Sequence, residues 1–117
     1  MILNPKLLKP KTLFENDSGS NANITLNDNV ENYEYIEIFY RNNDNFYSSR
    51  KFYKPSGQKL VLDSYYVSSS SIVFKMNYIT ISGTSVTRNQ FIEANKNNIT
   101  QNDTSRNVYI TRVFGYK

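Results

Sequence analysis

The sequence predicts an all-β domain, an antiparallel β-sandwich of jelly-roll-like build with about eight short strands and an extended N-terminal arm. Three observations predict it. Ten Tyr, seven Phe, ten Ile and seven Val stand against only two Ala, Ala22 and Ala94. Such side chains suit a pleated, half-buried surface, and helices are left without their best former. Residues 35–41 alternate strictly, Ile36, Ile38 and Tyr40 on one face and Tyr35, Glu37 and Phe39 on the other, which is the period of a strand. Breaks rich in Asn, Ser and Gly recur between short apolar runs, as turns do in sandwiches. A chain of 117 residues has room for one core. The sandwich is assigned to residues 12–117 and the arm to residues 1–11.

Each element has its own reason. Pro5 and Pro10 stop a helix and extend the residues before them, so residues 1–11 read as an arm. Residues 12–15 make a first strand, closed by Asn16-Asp17-Ser18-Gly19-Ser20-Asn21, and Ile24-Thr25-Leu26 a second, ended by Asn27-Asp28-Asn29. Asn42-Asn43-Asp44-Asn45 turns the alternating strand into its hairpin partner, residues 46–54. Pro55-Ser56-Gly57 turns again before residues 59–63. The serines at 68–71 form a loop. In residues 72–82 the apolar parity switches between Met76 and Ile79, which predicts a bulge near Asn77. Gly83-Thr84 leads into Val86-Thr87, one helical turn is expected over residues 90–95, and a long loop follows to residue 106. Residues 108–114 close the sheet, with Val108, Ile110, Arg112 and Phe114 on one face. The predicted core is Leu26, Ile36, Ile38, Tyr40, Phe52, Leu60, Leu62, Phe74, Ile79, Ile81, Val108, Ile110 and Phe114.

Absences narrow the function. The chain has no Cys and no His, which removes thiolate metal sites, cysteine nucleophiles, His-dependent triads and the usual general base near neutral pH. Glu34 and Glu37 point to opposite strand faces, and nothing in the spacing joins Asp63 to Glu93, so no carboxylate pair for glycoside hydrolysis is visible. Asp28, Asn29 and Glu31 are hard oxygen ligands, but without EF-hand spacing they read as an Asx turn. The expectation is a non-enzymatic protein with no catalytic residue, no metal and no cofactor. No apolar run approaches the roughly 20 residues that span a bilayer, and the N-terminus lacks the apolar stretch of a signal peptide.

Charge is segregated along the chain. Lys6, Lys9 and Lys11 precede an acidic stretch, Glu15, Asp17, Asp28, Glu31, Glu34 and Glu37, and Arg50, Lys51 and Lys54 reverse the sign again. Blocks of this kind suit docking between copies or onto a partner of opposite sign. The segment from Arg41 to Lys59 interleaves charge with Phe46, Tyr47, Phe52 and Tyr53, the composition of a single-strand nucleic-acid surface. In a hairpin the same residues are alternating core and solvent positions, and nucleic acid is not the expected partner.

The order of several motifs resembles a known family. An aromatic-Xaa-Asn opening, Phe14-Glu15-Asn16, is followed by Ile24-Thr25-Leu26 and by Asn32-Tyr33-Glu34-Tyr35-Ile36-Glu37-Ile38. Ile79-Thr80-Ile81-Ser82-Gly83-Thr84 resembles a Ser-Gly hairpin, and the chain ends in Ile110-Thr111-Arg112-Val113-Phe114-Gly115-Tyr116-Lys117. This pattern is similar to that of small bacteriophage virion structural proteins and terminal modules of tail and minor structural proteins, whose ending has the form Ile-Xaa-Arg-Ile-Tyr-Gly-Tyr-Lys. Glu34 and Phe14 stand where some members have Asp and Trp. The resemblance implies a β-rich virion component, made in the bacterial host cytoplasm and in some cases in contact with the host surface, with no catalytic residue to transfer. A domain that begins close to Met1 favours a capsid decoration or head-fibre protein, or a small tail protein, over the distal tip of a long fibre.

Three groups of residues are then candidates for contact. Ile2, Leu3, Lys6, Leu7, Leu8, Lys9 and Lys11 would anchor the arm to another virion protein, capsid or tail. Phe114, Tyr116 and Lys117 would join copies along a terminal strand whose edge is unpaired, in a homo-oligomer for which phage fibres favour a trimer. Tyr65, Tyr66 and Tyr78 have the chemistry to stack on a host-surface glycan. The alternative function is accordingly a carbohydrate-binding, adhesin-like module.

Overall fold

Nine strands form the fold of the computed structural model, which describes residues 9–67, 72–95, 99–101 and 108–117; for Tyr66 and residues 99–101 it describes the backbone alone. In chain order they are β1 (Lys11–Ser20), β2 (Ile24–Thr25), β3 (Tyr35–Asn42), β4 (Tyr47–Tyr53), β5 (Lys59–Val67), β6 (Ile72–Ser82), β7 (Ser85–Ala94), β8 (Ile99–Gln101) and β9 (Val108–Tyr116). One sheet has the order β1-β9-β3-β4, the other β2-β7-β6-β5 with β8 paired to the far end of β7, and every pairing is antiparallel. The first three strands alternate between sheets and β9 returns between β1 and β3, which gives the sandwich its jelly-roll-like flank; the β3–β4 hairpin and the β5-β6-β7 meander complete it.

The alternation in β3 carries over intact. Ile36, Ile38, Tyr40 and Asn42 are all buried, and the first three share one core with Leu62, Ile79, Ile81 and Val86 of the opposite sheet and with Leu13, Val108, Ile110 and Val113. Each such aliphatic side chain contributes about 1.5–3 kcal/mol of burial. Among the described residues the only helical element is the 3-10 turn Val30–Asn32, whose cap Asn29 accepts the Glu31 N–H through Oδ1 at 2.9 Å. That is the Asx turn expected here. Its neighbour Asp28 accepts from the Asn29 N–H at 2.8 Å, the Asn32 amide at 3.0 Å and the Tyr33 hydroxyl at 2.7 Å.

Several expectations are corrected. β6 keeps one parity throughout, so Val73, Lys75, Asn77, Ile79 and Ile81 face inward and Phe74 lies outside. The register shift near Asn77 belongs to the β6–β7 pairing, where Asn89 is the extra residue between Gln90 opposite Tyr78 and Arg88 opposite Ile79. In β9 the extra residue is Thr111, between Ile110 opposite Tyr40 and Arg112 opposite Phe39. One inserted residue turns every later side chain over. Val113 and Gly115 therefore point into the sandwich, whereas Arg112 is exposed and Phe114 is half-buried on the outer face, edge-to-face with Phe39 at 5.3 Å. Phe52 is likewise only half-buried. The helical turn expected at 90–95 is strand as far as Ala94, residues 99–101 of the expected long loop pair with β7 as β8, and the remainder of that loop from 96 to 106, like the serine loop expected at 68–71, lies outside the described residues. β1 begins at Lys11, so the last residue assigned to the arm is already paired, opposite Gly115.

The charge blocks answer one another within the chain. Lys11 lies 3.6 Å from Asp28, and Arg112 lies 3.4 Å from Glu15 and 3.8 Å from Asp17. Glu37 stands opposite Lys51 in the β3–β4 register. Of these, Lys11–Asp28 and Glu37–Lys51 join blocks of opposite sign within the chain, whereas Arg112 lies outside the blocks.

Candidate binding cleft

β4 and β5 are the last strands of their sheets, and they border the same open side of the sandwich. Toward the middle, that side is laced shut. Arg50 of β4 donates to the Val61 carbonyl at 3.1 Å and to Asp63 Oδ1 at 3.3 Å, and Tyr40 donates to the Asp63 carbonyl at 2.7 Å. Burial, helped by the Asp63 charge, pushes the Tyr40 phenol up to about 12. It stays protonated and serves as a fixed donor.

Beyond that lacing the two edges separate around a cleft of about 680 Å³, lined by Phe46, Tyr47, Ser48, Asp63, Ser64, Tyr65, Val67 and Phe74. Its position follows from the β3–β4 turn. Asn42 is buried and its Oδ1 accepts the Asp44 and Phe46 N–H groups at 2.9 and 3.1 Å, while Asn45 adopts a positive φ of 64°. The turn so closed delivers Phe46 and Tyr47 to the rim. The Asn42 amide also donates to Ser64 Oγ at 2.9 Å, which fixes the floor. Behind it the buried Lys75 bonds Asn43 and sits 3.3 Å from Asp44. On the far wall Tyr65 and Phe74 are directly opposed in the β5–β6 register, with ring centroids 6.1 Å apart. The four aromatics are 52% (Phe46), 66% (Tyr47), 61% (Tyr65) and 49% (Phe74) exposed. Isolated exposed aromatics are ordinary, but four on one concavity mark a contact surface.

Of the residues expected to touch a glycan, Tyr65 lines this cleft. Tyr78 does not. It is half-buried on the outer face of β6, opposite Val61, with Lys59 Nζ 5.8 Å from its ring. The Tyr66 side chain lies outside the described residues. Sequence reading missed Phe46, Tyr47, Asp63 and Phe74 as a group, because the two strands that unite them belong to different sheets. Asp63 and Glu93, which nothing in the spacing joins, lie on opposite faces: Asp63 stands opposite Met76, and Glu93 opposite the inward Lys75.

The other candidates separate in the same way. Ile2, Leu3, Lys6, Leu7 and Leu8 lie outside the described residues; Lys9 is exposed, and Lys11 is engaged in β1. β9 is flanked by β1 and β3, so the terminal strand has no free edge on which Phe114, Tyr116 and Lys117 could pair with a second copy. Tyr116 donates to Glu37 Oε1 at 2.6 Å, a bond that together with burial raises its phenol to about 12, and Lys51 Nζ lies 4.2 Å from its ring. Lys117 Nζ sits 5.7 Å from the Tyr33 ring. No helix among the described residues is long and apolar enough to cross a membrane.

The fold and cleft define an antiparallel β-sandwich with an aromatic-walled recess between two edge strands. No protein-family model and no curated protein matches the chain.

Proposed function

We propose that the chain is a non-enzymatic structural protein of a bacteriophage virion, a capsid decoration or head-fibre protein or a small tail protein. The observation that carries this reading is the resemblance of residues 110–117 to the family ending, joined to what those residues do in the fold. Ile110 and Val113 are core, Gly115 underlies the Tyr33 ring, Arg112 holds Glu15 and Asp17, and Tyr116 holds Glu37. Every one of these roles is architectural. A chain whose most specific motif builds its central strand suits a protein that is itself a building part. The N-terminal arm anchors the protein to a capsid or tail neighbour, and assembly as a homo-oligomer, trimer before dimer, belongs to the same proposal by analogy with phage fibres. Mass spectrometry of gradient-purified particles of the phage carrying this gene tests the reading. Recovery in particles at structural copy number is expected. Recovery only in the particle-free lysate would overturn it.

A further inference from the structure

We infer that the cleft between β4 and β5 is a binding site for a short, neutral oligosaccharide, with Tyr65 and Phe74 as the stacking wall. This goes beyond the virion reading, which needs no ligand. The cleft combines flat apolar surfaces with hydroxyl and carboxylate groups: four exposed rings surround Ser48, Ser64 and Asp63. A pyranose presents the same combination, with C–H patches on its faces and hydroxyls at its edge. The Ser64 oxygen already accepts from Asn42, which leaves its own proton to donate into the cleft. Asp63 keeps acceptor capacity beyond its single Arg50 contact. A volume of about 680 Å³ lies inside the range of ligand clefts, about 300–1,000 Å³.

The same observations disfavour other occupants. An added peptide strand would have only the end of β5 to pair with, because the Val61 and Asp63 carbonyls are taken by Arg50 and Tyr40. A nucleic acid or phosphate-bearing ligand needs available cations, and both nearby ones are committed, Arg50 to Asp63 and Lys75 to Asp44 and Asn43. A sialylated glycan would bring its carboxylate toward Asp63. A wholly apolar ligand would strip water from Ser48, Ser64 and Asp63 with nothing in return.

The test uses the purified full chain on an array of neutral gluco-, galacto- and N-acetylhexosamine oligosaccharides, beside sialylated and phosphate-bearing glycans. Hits are then titrated by tyrosine fluorescence, since the chain has no Trp. Retention on at least one neutral oligosaccharide is expected. Tyr65→Ala and Phe74→Ala should each weaken it at least about fivefold, while Tyr78→Ala, outside the cleft, leaves it unchanged. Tyr65 and Phe74 are exposed, so both variants keep the thermal midpoint of the parent, which separates lost contact from lost fold. No neutral hit, hits confined to charged glycans, or affinity indifferent to both substitutions would overturn the inference. Failure here leaves the virion reading intact, and absence from particles leaves the glycan result intact.

Discussion

Gly115 offers a stability test worked directly from geometry. A Cβ added there would lie 2.5, 2.7 and 2.8 Å from the Cδ1, Cγ and Cε1 atoms of Tyr33. Non-bonded carbons settle near 3.5–4.0 Å, so the overlap is about 1 Å and spans one edge of the ring. Relief requires the ring to move, and the ring is held. Tyr33 is buried, and its hydroxyl donates to Asp28 at 2.7 Å, the carboxylate that also organises the 3-10 turn. On the other side Gly115 is tied into β9 between Lys11 and Ile36. Overpacking of this kind costs about 1–3 kcal/mol, and the immobility of both partners puts Gly115→Ala near the upper end, about 3 kcal/mol. Urea denaturation of the parent, Gly115→Ala, Tyr33→Leu and the double variant measures it. With the ring gone the Gly115→Ala penalty should fall below about 0.5 kcal/mol, a coupling of about 2 kcal/mol or more. A small penalty in the parent, or the same penalty in both backgrounds, would refute the steric account.

Other expectations follow from neighbouring features. Arg88 is buried and donates to the Ser20 carbonyl at 2.7 Å, the Ala22 carbonyl at 3.3 Å and the buried Asn77 amide oxygen; Arg88→Met should cost about 3 kcal/mol in denaturant melts by leaving those acceptors unpaired. Asp28 is held down to about 2 from 3.8, chiefly by the Tyr33 hydroxyl. Its folded value lies below its unfolded one, so the stabilisation is complete above about pH 4 and is lost as pH falls through about 2. The gap in thermal midpoint between parent and Asp28→Asn should narrow across that window, and a constant gap would contradict the assignment. Gly19 and Gly57 both have positive φ, 85° and 76°, but only at Gly19 would a Cβ meet another residue, Tyr109 Cβ at 2.7 Å. Gly57→Ala should then cost about 1 kcal/mol for backbone alone, and Gly19→Ala clearly more, by the same melts.

How far the molecule was legible in its sequence depends on whether apolar alternation was left undisturbed. In β3 it was, and Ile36, Ile38 and Tyr40 are core as their spacing requires. In β6 two polar residues, Lys75 and Asn77, occupy inward positions with hydrogen-bond partners, so the true inward row looks polar and Phe74 is mistaken for core. In β9 a single extra residue, Thr111, reverses the pattern, and no composition signal announces a bulge. Gln90 to Ala94 extends a strand because β6 and β8 supply ladders on both sides, a tertiary effect that local propensity does not contain. The cleft was half legible. Tyr65 declared itself as an exposed aromatic beside serines, but Phe46 and Tyr47 joined it only through the divergence of two edge strands, which is a property of the topology.

The proposed place of this sandwich is in a phage particle. An electron cryomicroscopy map of intact particles tests it most directly, with the nine-stranded fold fitted as a rigid body. Repeated density on the capsid or tail that accepts the fold is expected, with residues 1–11 against a neighbouring virion protein and the β4–β5 cleft facing outward. Particles fully accounted for by other chains, with this protein recovered only free in the lysate, would contradict it.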